Sequence, residues 1–131
     1  MKTLNSLSLV VVVCFAIACR PFITTSLEAN LFEKELAQAT DPQLVDVRTF
    51  AEYSEGHLSG AILIDIKEPT FDSLIDQLDP TRPVFLYCRS GKRSLEAANV
   101  LEKKNFKVVY NLEGGIIAWK KSGKTVVGEM P

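Results

Sequence analysis

The sequence predicts an α/β domain, a mostly parallel sheet covered by helices on both faces. Short apolar runs of strand length alternate along the chain with stretches whose apolar residues recur at helical spacing. That alternation is the signature of parallel strands joined by crossover helices. The chain has 131 residues, 47% hydrophobic and 24% charged, which fits one globular domain with a short appendage and excludes both a disordered chain and a multidomain assembly.

The elements follow in order. Arg20 to Ala29 reads as a short linker. Asn30, followed three positions later by Glu33, has the form of a capping box and opens a helix through Leu31, Phe32, Leu36 and Ala37. Asp41-Pro42 ends it as a turn. Leu44 to Val47 is a strand, Ala51 to Ser54 a polar helical turn, and Gly56 to Gly60 a glycine-punctuated loop before a second strand, Ala61 to Ile64. Phe71, Leu74, Ile75 and Leu78 fall on one helical face, and Pro80 and Pro83 bracket the next turn. Val84 to Tyr87 is a third strand. From Ser94 the pattern Leu95, Ala98, Val100 and Leu101 is helical, Phe106 to Tyr110 is a strand, and Gly114-Gly115 leads into a last helix bearing Trp119. The tail from Gly123 onward carries no signal.

The first residues read as a targeting segment. Lys2 precedes an apolar run from Leu7 to Ala18, which at about a dozen residues is short of the roughly 20 needed to span a bilayer and suits a signal-peptide core. Ala16-Ile17-Ala18 before Cys19 resembles a lipobox, in which the cysteine becomes the lipidated first residue of the mature chain. The expected layout is a signal peptide over 1–18, a linker over 19–29 and a single domain over 30–131, held in the periplasm or cell envelope by a lipid on Cys19. An ordinary secretory signal cleaved near Ala18 is the alternative.

Fifteen basic and 16 acidic side chains give a net charge of −1, so no overall field draws the chain to nucleic acid or anionic lipid. Of three cysteines, Cys14 lies in the signal and Cys19 at its end, leaving Cys88 unpaired. A lone thiol retained in an oxidising compartment favours a reactive role.

Cys88 opens the loop Cys88-Arg89-Ser90-Gly91-Lys92-Arg93-Ser94 between a strand and a helix. Backbone amides there can converge near the sulfur, and the helix dipole and the cations Arg89, Lys92 and Arg93 all favour thiolate over thiol. The same cations suit an anionic substrate. Equally, a cysteine at a strand end can be a small apolar residue and the charges merely solvated.

Here the sequence resembles the rhodanese family of sulfurtransferases, from about Asn30 to Trp119. Cys88, Gly91 and Arg93 give the loop form Cys-x-x-Gly-x-Arg. Asp46-Val47-Arg48, Glu52-Tyr53 and Gly56-His57-Leu58-x-Gly60-Ala61 match an upstream signature, and Leu112-x-Gly114-Gly115 with Trp119 a downstream one. Leu63 departs from the asparagine of many members. The resemblance implies a three-layer α/β/α fold with about five strands, and transfer of sulfane sulfur from thiosulfate or a similar donor through a Cys88 persulfide to a thiol or cyanide. It implies loop amides from Arg89 to Ser94 stabilising that persulfide, Arg93 shaping the loop, and no cofactor or metal. Asp46, Arg48 and Glu52 are expected to form a structural ion-pair and hydrogen-bond network beneath the loop, Asp46 being the one of the three that touches it, and His57 is expected to fix its loop by hydrogen bonding. The reading requires the sulfur at the mouth of a ring of inward-pointing amides. A protein-partnered sulfur carrier is an alternative. A cysteine phosphatase or arsenate reductase is a weaker one, because related phosphatases have a loop one residue longer than the six from Cys88 to Arg93.

Overall fold

The computed structural model describes residues 22–128. Five strands, β1 (Ile23–Leu27), β2 (Gln43–Asp46), β3 (Ile62–Leu63), β4 (Val84–Tyr87) and β5 (Val108–Leu112), form one sheet ordered β1-β5-β4-β2-β3, with every pairing parallel. Helices α1 (Ala29–Gln38), α2 (Phe50–Ser54), α3 (Phe71–Ile75) and α4 (Lys92–Lys103) occupy the connections, and α5 (Gly115–Lys121) follows the last strand.

Strand parity builds two cores. Successive side chains of a strand point to opposite faces, and here both faces are covered, so every position of β2 and β4 is buried; β4 is apolar throughout, and β2 places Leu44 and Val45 between the buried polar Gln43 and Asp46. Val45, Val47, Val84, Leu86 and Val109 pack under Phe71 and Ile75 of α3 and Ala97, Ala98 and Leu101 of α4. Leu44, Phe85, Tyr87 and Leu112 pack under Ala29 and Phe32 of α1 and Ile116 and Trp119 of α5. Phe32 meets Phe85 and Trp119 edge-on, with centroids 5.3 and 6.4 Å apart. Each such ring or branched side chain taken fully out of water contributes about 1.5–3 kcal/mol.

The segment read as a linker contains β1, which pairs with β5 from Ile23↔Val108 to Leu27↔Leu112. It is an edge strand with one buried residue, Leu27, so it lacks the apolar run that marks the inner strands. α1 also starts earlier than the Asn30 cap implied. The chain leaves β1 at Leu27 and turns at once, and the carboxylate of Glu28 caps the helix by accepting from the amides of Asn30 and Leu31 at 3.1 and 3.0 Å. Phe106 is buried but precedes β5, because Asn105 in a left-handed conformation turns the chain beneath α4 first. The tail, unreadable from sequence, is fastened: the indole of Trp119 donates to the Thr125 carbonyl at 2.9 Å, and Val127 bridges to His57.

The topology fixes where a site can form. From β2 the chain moves outward to β3, whereas from β4 it moves the other way to β5. The neighbouring carboxyl ends of β2 and β4 therefore flank a switch point, where open parallel sheets bind ligands. Asp46 ends β2 there, and Cys88 follows β4.

Candidate active site

Cys88 continues the parity of Val84 and Leu86, so its side chain turns toward the face covered by α3 and α4 and is fully buried. The sulfur thus lies beneath the loop and not at the mouth of it. The loop nevertheless aims polar groups at it. The amide of Gly91 donates to Sγ at 3.1 Å and the hydroxyl of Ser94 at 3.4 Å. Burial is the largest influence on the thiol and pushes its pKa up. The Ser94 hydroxyl and the amides of Ser94, Gly91 and Ser90 outweigh it, so the pKa lies below the ordinary thiol value. A hydrogen bond to a charged group is worth about 1.5–3 kcal/mol, so a few converging donors can offset burial.

The amides face inward because α5 holds the loop from behind. The amide of Ile116 donates to the Cys88 carbonyl at 2.9 Å and that of Ile117 to the Arg89 carbonyl at 3.3 Å. In a planar trans peptide the N–H points opposite to the C=O, so drawing the Arg89 carbonyl toward α5 turns the Ser90 amide the other way. This approach needs Gly115. A Cβ there would overlap the carbonyl carbon and oxygen of Arg89 and lie 2.6 Å from the Cys88 oxygen, and its φ is +60°. Gly91, at φ +97°, starts α4 in the left-handed region and presents its amide to the sulfur. The Gly114-Gly115 pair looked in sequence like a simple turn; its work as a backstop for the Cys88 loop is visible only in three dimensions.

Arg93 fixes the loop from the other side. Its guanidinium donates to both carboxylate oxygens of Glu52, at 2.8 and 2.7 Å, in a bidentate pair. Glu52 is itself part of the capping box of α2, accepting from the Thr49 amide at 3.0 Å and hydroxyl at 2.9 Å. The hydrogen bonds from Arg93, with those from Thr49, pull the Glu52 pKa down to about 2. The Arg93 pKa is raised, first by Glu52 and further by attraction to Cys88. Arg89, Ser90 and Lys92 stand exposed on the rim.

Of Asp46, Arg48 and Glu52, Asp46 was expected to touch the loop; among the described residues it is Glu52 that hydrogen-bonds to a loop side chain, Arg93. The Asp46 carboxylate instead accepts from Arg48, from Nη2 at 2.6 Å and from Nε at 2.9 and 3.0 Å. Arg48 spends its remaining reach on the Gly56 carbonyl at 2.7 Å. Only 0% and 5% of these two residues is exposed, so the pair is a buried strut between β2 and the Gly56 loop. The Tyr87 hydroxyl helps by accepting from the Leu58 amide at 3.0 Å. His57 stacks on Tyr53 at 3.7 Å, places Nδ1 3.0 Å from the Tyr53 carbonyl, and pairs its backbone with Val127. Cys19 and the apolar segment before it lie outside the described residues.

Comparison with known proteins agrees with this geometry. Residues 28–122 match the rhodanese-like domain family model. A sulfurtransferase of Allochromatium vinosum is 32% identical over 105 residues, 80% of this chain and 96% of that protein. Thiosulfate sulfurtransferase GlpE of Shewanella oneidensis is 32% identical over 88 residues, 67% of this chain and 85% of that protein. Among solved structures, a rhodanese-related protein from Thermoplasma volcanium superposes with a TM-score of 0.70 at 26% identity, covering 80% of this chain and 99% of that one. With a parallel five-stranded sheet, a cysteine closing its central strand and a family match across nearly the whole described domain, the chain belongs to the rhodanese-like domain family and has sulfurtransferases among its relatives.

Proposed function

We propose that this protein transfers sulfane sulfur from thiosulfate, or a similar small anionic donor, to a thiol or cyanide acceptor through a persulfide on Cys88. The observation that carries the reading is the set of donors on Sγ: a purely packing cysteine has no need of an amide at 3.1 Å and a hydroxyl at 3.4 Å. In the first step thiolate Cys88 attacks the outer sulfur of thiosulfate. A Cys88–sulfur bond forms, the sulfur–sulfur bond of the donor breaks, and sulfite leaves with the bonding pair. In the second step an acceptor thiolate or cyanide attacks the outer sulfur and returns the electron pair to Cys88. The loop amides stabilise the anionic outer sulfur as they stabilise the thiolate, and no general base is required because the loop already favours ionised sulfur. Arg89 and Lys92 on the rim attract the donor anion, while Arg93 keeps the loop in shape through Glu52. Because Cys88 is fully buried, the rim must open as the donor enters.

A signal peptide over 1–18 and lipid on Cys19 would hold the domain in the cell envelope, with small sulfur anions or a protein sulfur partner as its counterparts.

Mass spectrometry of the purified protein after incubation with thiosulfate tests the central step. A gain of one sulfur atom on Cys88, absent in Cys88→Ser with an unchanged circular dichroism spectrum, is expected. Unaltered turnover in that variant would refute the mechanism.

A further inference from the structure

Beside the Cys88 loop, on the flank toward β5 and β1, lies a cleft of about 410 Å³ that shares Ser90, Gly91 and Lys92 with the sulfur chemistry above but whose strand side that chemistry does not use. Ser90, Gly91 and Lys92 of the loop line one side of it, and Ser26, Asn111 and Glu113 line the carboxyl ends of β1 and β5. Asn111 is out of place as a core residue. It sits in a strand position of the same parity as Val109, is 1% exposed, and donates from Nδ2 to the Ser26 hydroxyl at 3.1 Å. Its Oδ1 is buried with no hydrogen-bond partner. Leaving a buried acceptor unpaired is destabilising, a penalty an apolar residue here would avoid.

The rest of the lining says what would satisfy it. Lys92 and Glu113 are exposed at the cleft, and neither forms an ion pair among the described residues. One unpaired cation, one unpaired anion, two hydroxyls and an orphan amide oxygen match a small ligand that carries an ammonium and a carboxylate on the same carbon. The ammonium can donate to Glu113 and, as the lining parts to admit it, to the buried Asn111 Oδ1, and the carboxylate can accept from Lys92 and the Ser90 hydroxyl.

We propose that this cleft binds the α-ammonium-carboxylate head of a small amino-acid thiol and so selects it as the acceptor of the Cys88 sulfur. The acceptor role rests on the sulfurtransferase reading; the binding site does not. Gly91 is the link between them, since it lines the cleft and its amide holds Sγ. The acceptor thiolate would attack the outer sulfur, forming its own sulfur–sulfur bond, breaking the one to Cys88 and leaving Cys88 as thiolate.

The test uses S-methyl-L-cysteine, which has the head group but no thiol to react. Titrated into the ¹⁵N-labelled protein, it is expected to shift the Asn111 side-chain amide and the Gly91 backbone amide saturably. 3-(Methylthio)propionate, which lacks the ammonium, is expected to bind at least tenfold more weakly. Glu113→Gln, a surface change that spares the fold, should weaken S-methyl-L-cysteine about as much, and Asn111→Leu should abolish the shifts. Equal binding of the two probes, no saturable shift, or unaltered binding in Glu113→Gln would overturn the site and leave Asn111 satisfied by a trapped water. Persulfide formation by mass spectrometry reads the other claim separately: binding without persulfide keeps the site and rejects the sulfurtransferase reading, whereas persulfide without binding does the reverse.

Discussion

Gly115→Ala is a direct test of whether α5 sets the conformation of the Cys88 loop. The added methyl would overlap the Arg89 carbonyl and lie 2.6 Å from the Cys88 oxygen, and these neighbours are backbone atoms that cannot swing aside. Two costs add. An L-residue forced to φ +60° loses about 1–2 kcal/mol, and overpacking at a site that must shift costs about 1–3 kcal/mol more. The expected loss is therefore about 3 kcal/mol, a large fraction of the stability of a small domain. Gly123→Ala isolates the first cost, because Gly123 shares a left-handed φ of +77° but has nothing within 4 Å of its added Cβ. Urea denaturation at constant m-value should show Gly115→Ala losing at least twice as much stability as Gly123→Ala. The loop is expected to move away from α5, turning its amides off Sγ, so the Cys88 thiol should titrate at higher pH, as followed by thiolate absorbance. Equal losses in the two variants, with thiol ionisation unchanged in Gly115→Ala, would refute the claim that close packing of α5 orients the loop.

Three further outcomes are expected. Ser94→Ala removes the hydroxyl that does most to lower the Cys88 pKa; the acidic limb of the kcat/KM profile for thiosulfate should move to higher pH, with roughly a tenfold loss of rate on that limb, and an unmoved limb would deny the hydroxyl its role. Glu52 has a folded pKa of about 2 against an ordinary 4.5, so its bond to Arg93 stabilises the fold fully above pH 4.5 and less as pH falls toward 2. Because the pair is partly solvated, Glu52→Gln should cost only about 1 kcal/mol at neutral pH and flatten the acid side of the stability curve, measured by urea midpoints across that range. Arg48→Met strands the Asp46 carboxylate in the interior and should cost about 3–5 kcal/mol in the same assay, whereas the double change with Asp46→Leu should recover much of the loss.

Much of the fold was legible because two-sided burial writes itself as consecutive apolar residues. β4 announces itself that way and β2 through its central Leu44-Val45, while the helices show a spaced apolar stripe that includes Phe71 and Ile75, or Ala98 and Leu101. β1 was not legible, since an edge strand needs hydrogen bonds more than burial and Ile23-Thr24-Thr25-Ser26 carries no strong apolar signal. The place of Cys88 after a buried strand, in a loop with Gly91, Arg89, Lys92 and Arg93, was legible, and so was the convergence of loop donors on its sulfur.

What the chain determines alone, then, is local: strand and helix periods, the turn glycines, and a thiol set among donors and positive charge. Tertiary structure decided which groups meet. It brought Glu52 rather than Asp46 to Arg93, set Gly115 against the back of the loop, buried the sulfur, and left Asn111 Oδ1 without a partner. These pairings join residues tens of positions apart, and a sequence read by local spacing carries no record of which distant partners the sheet order will place side by side.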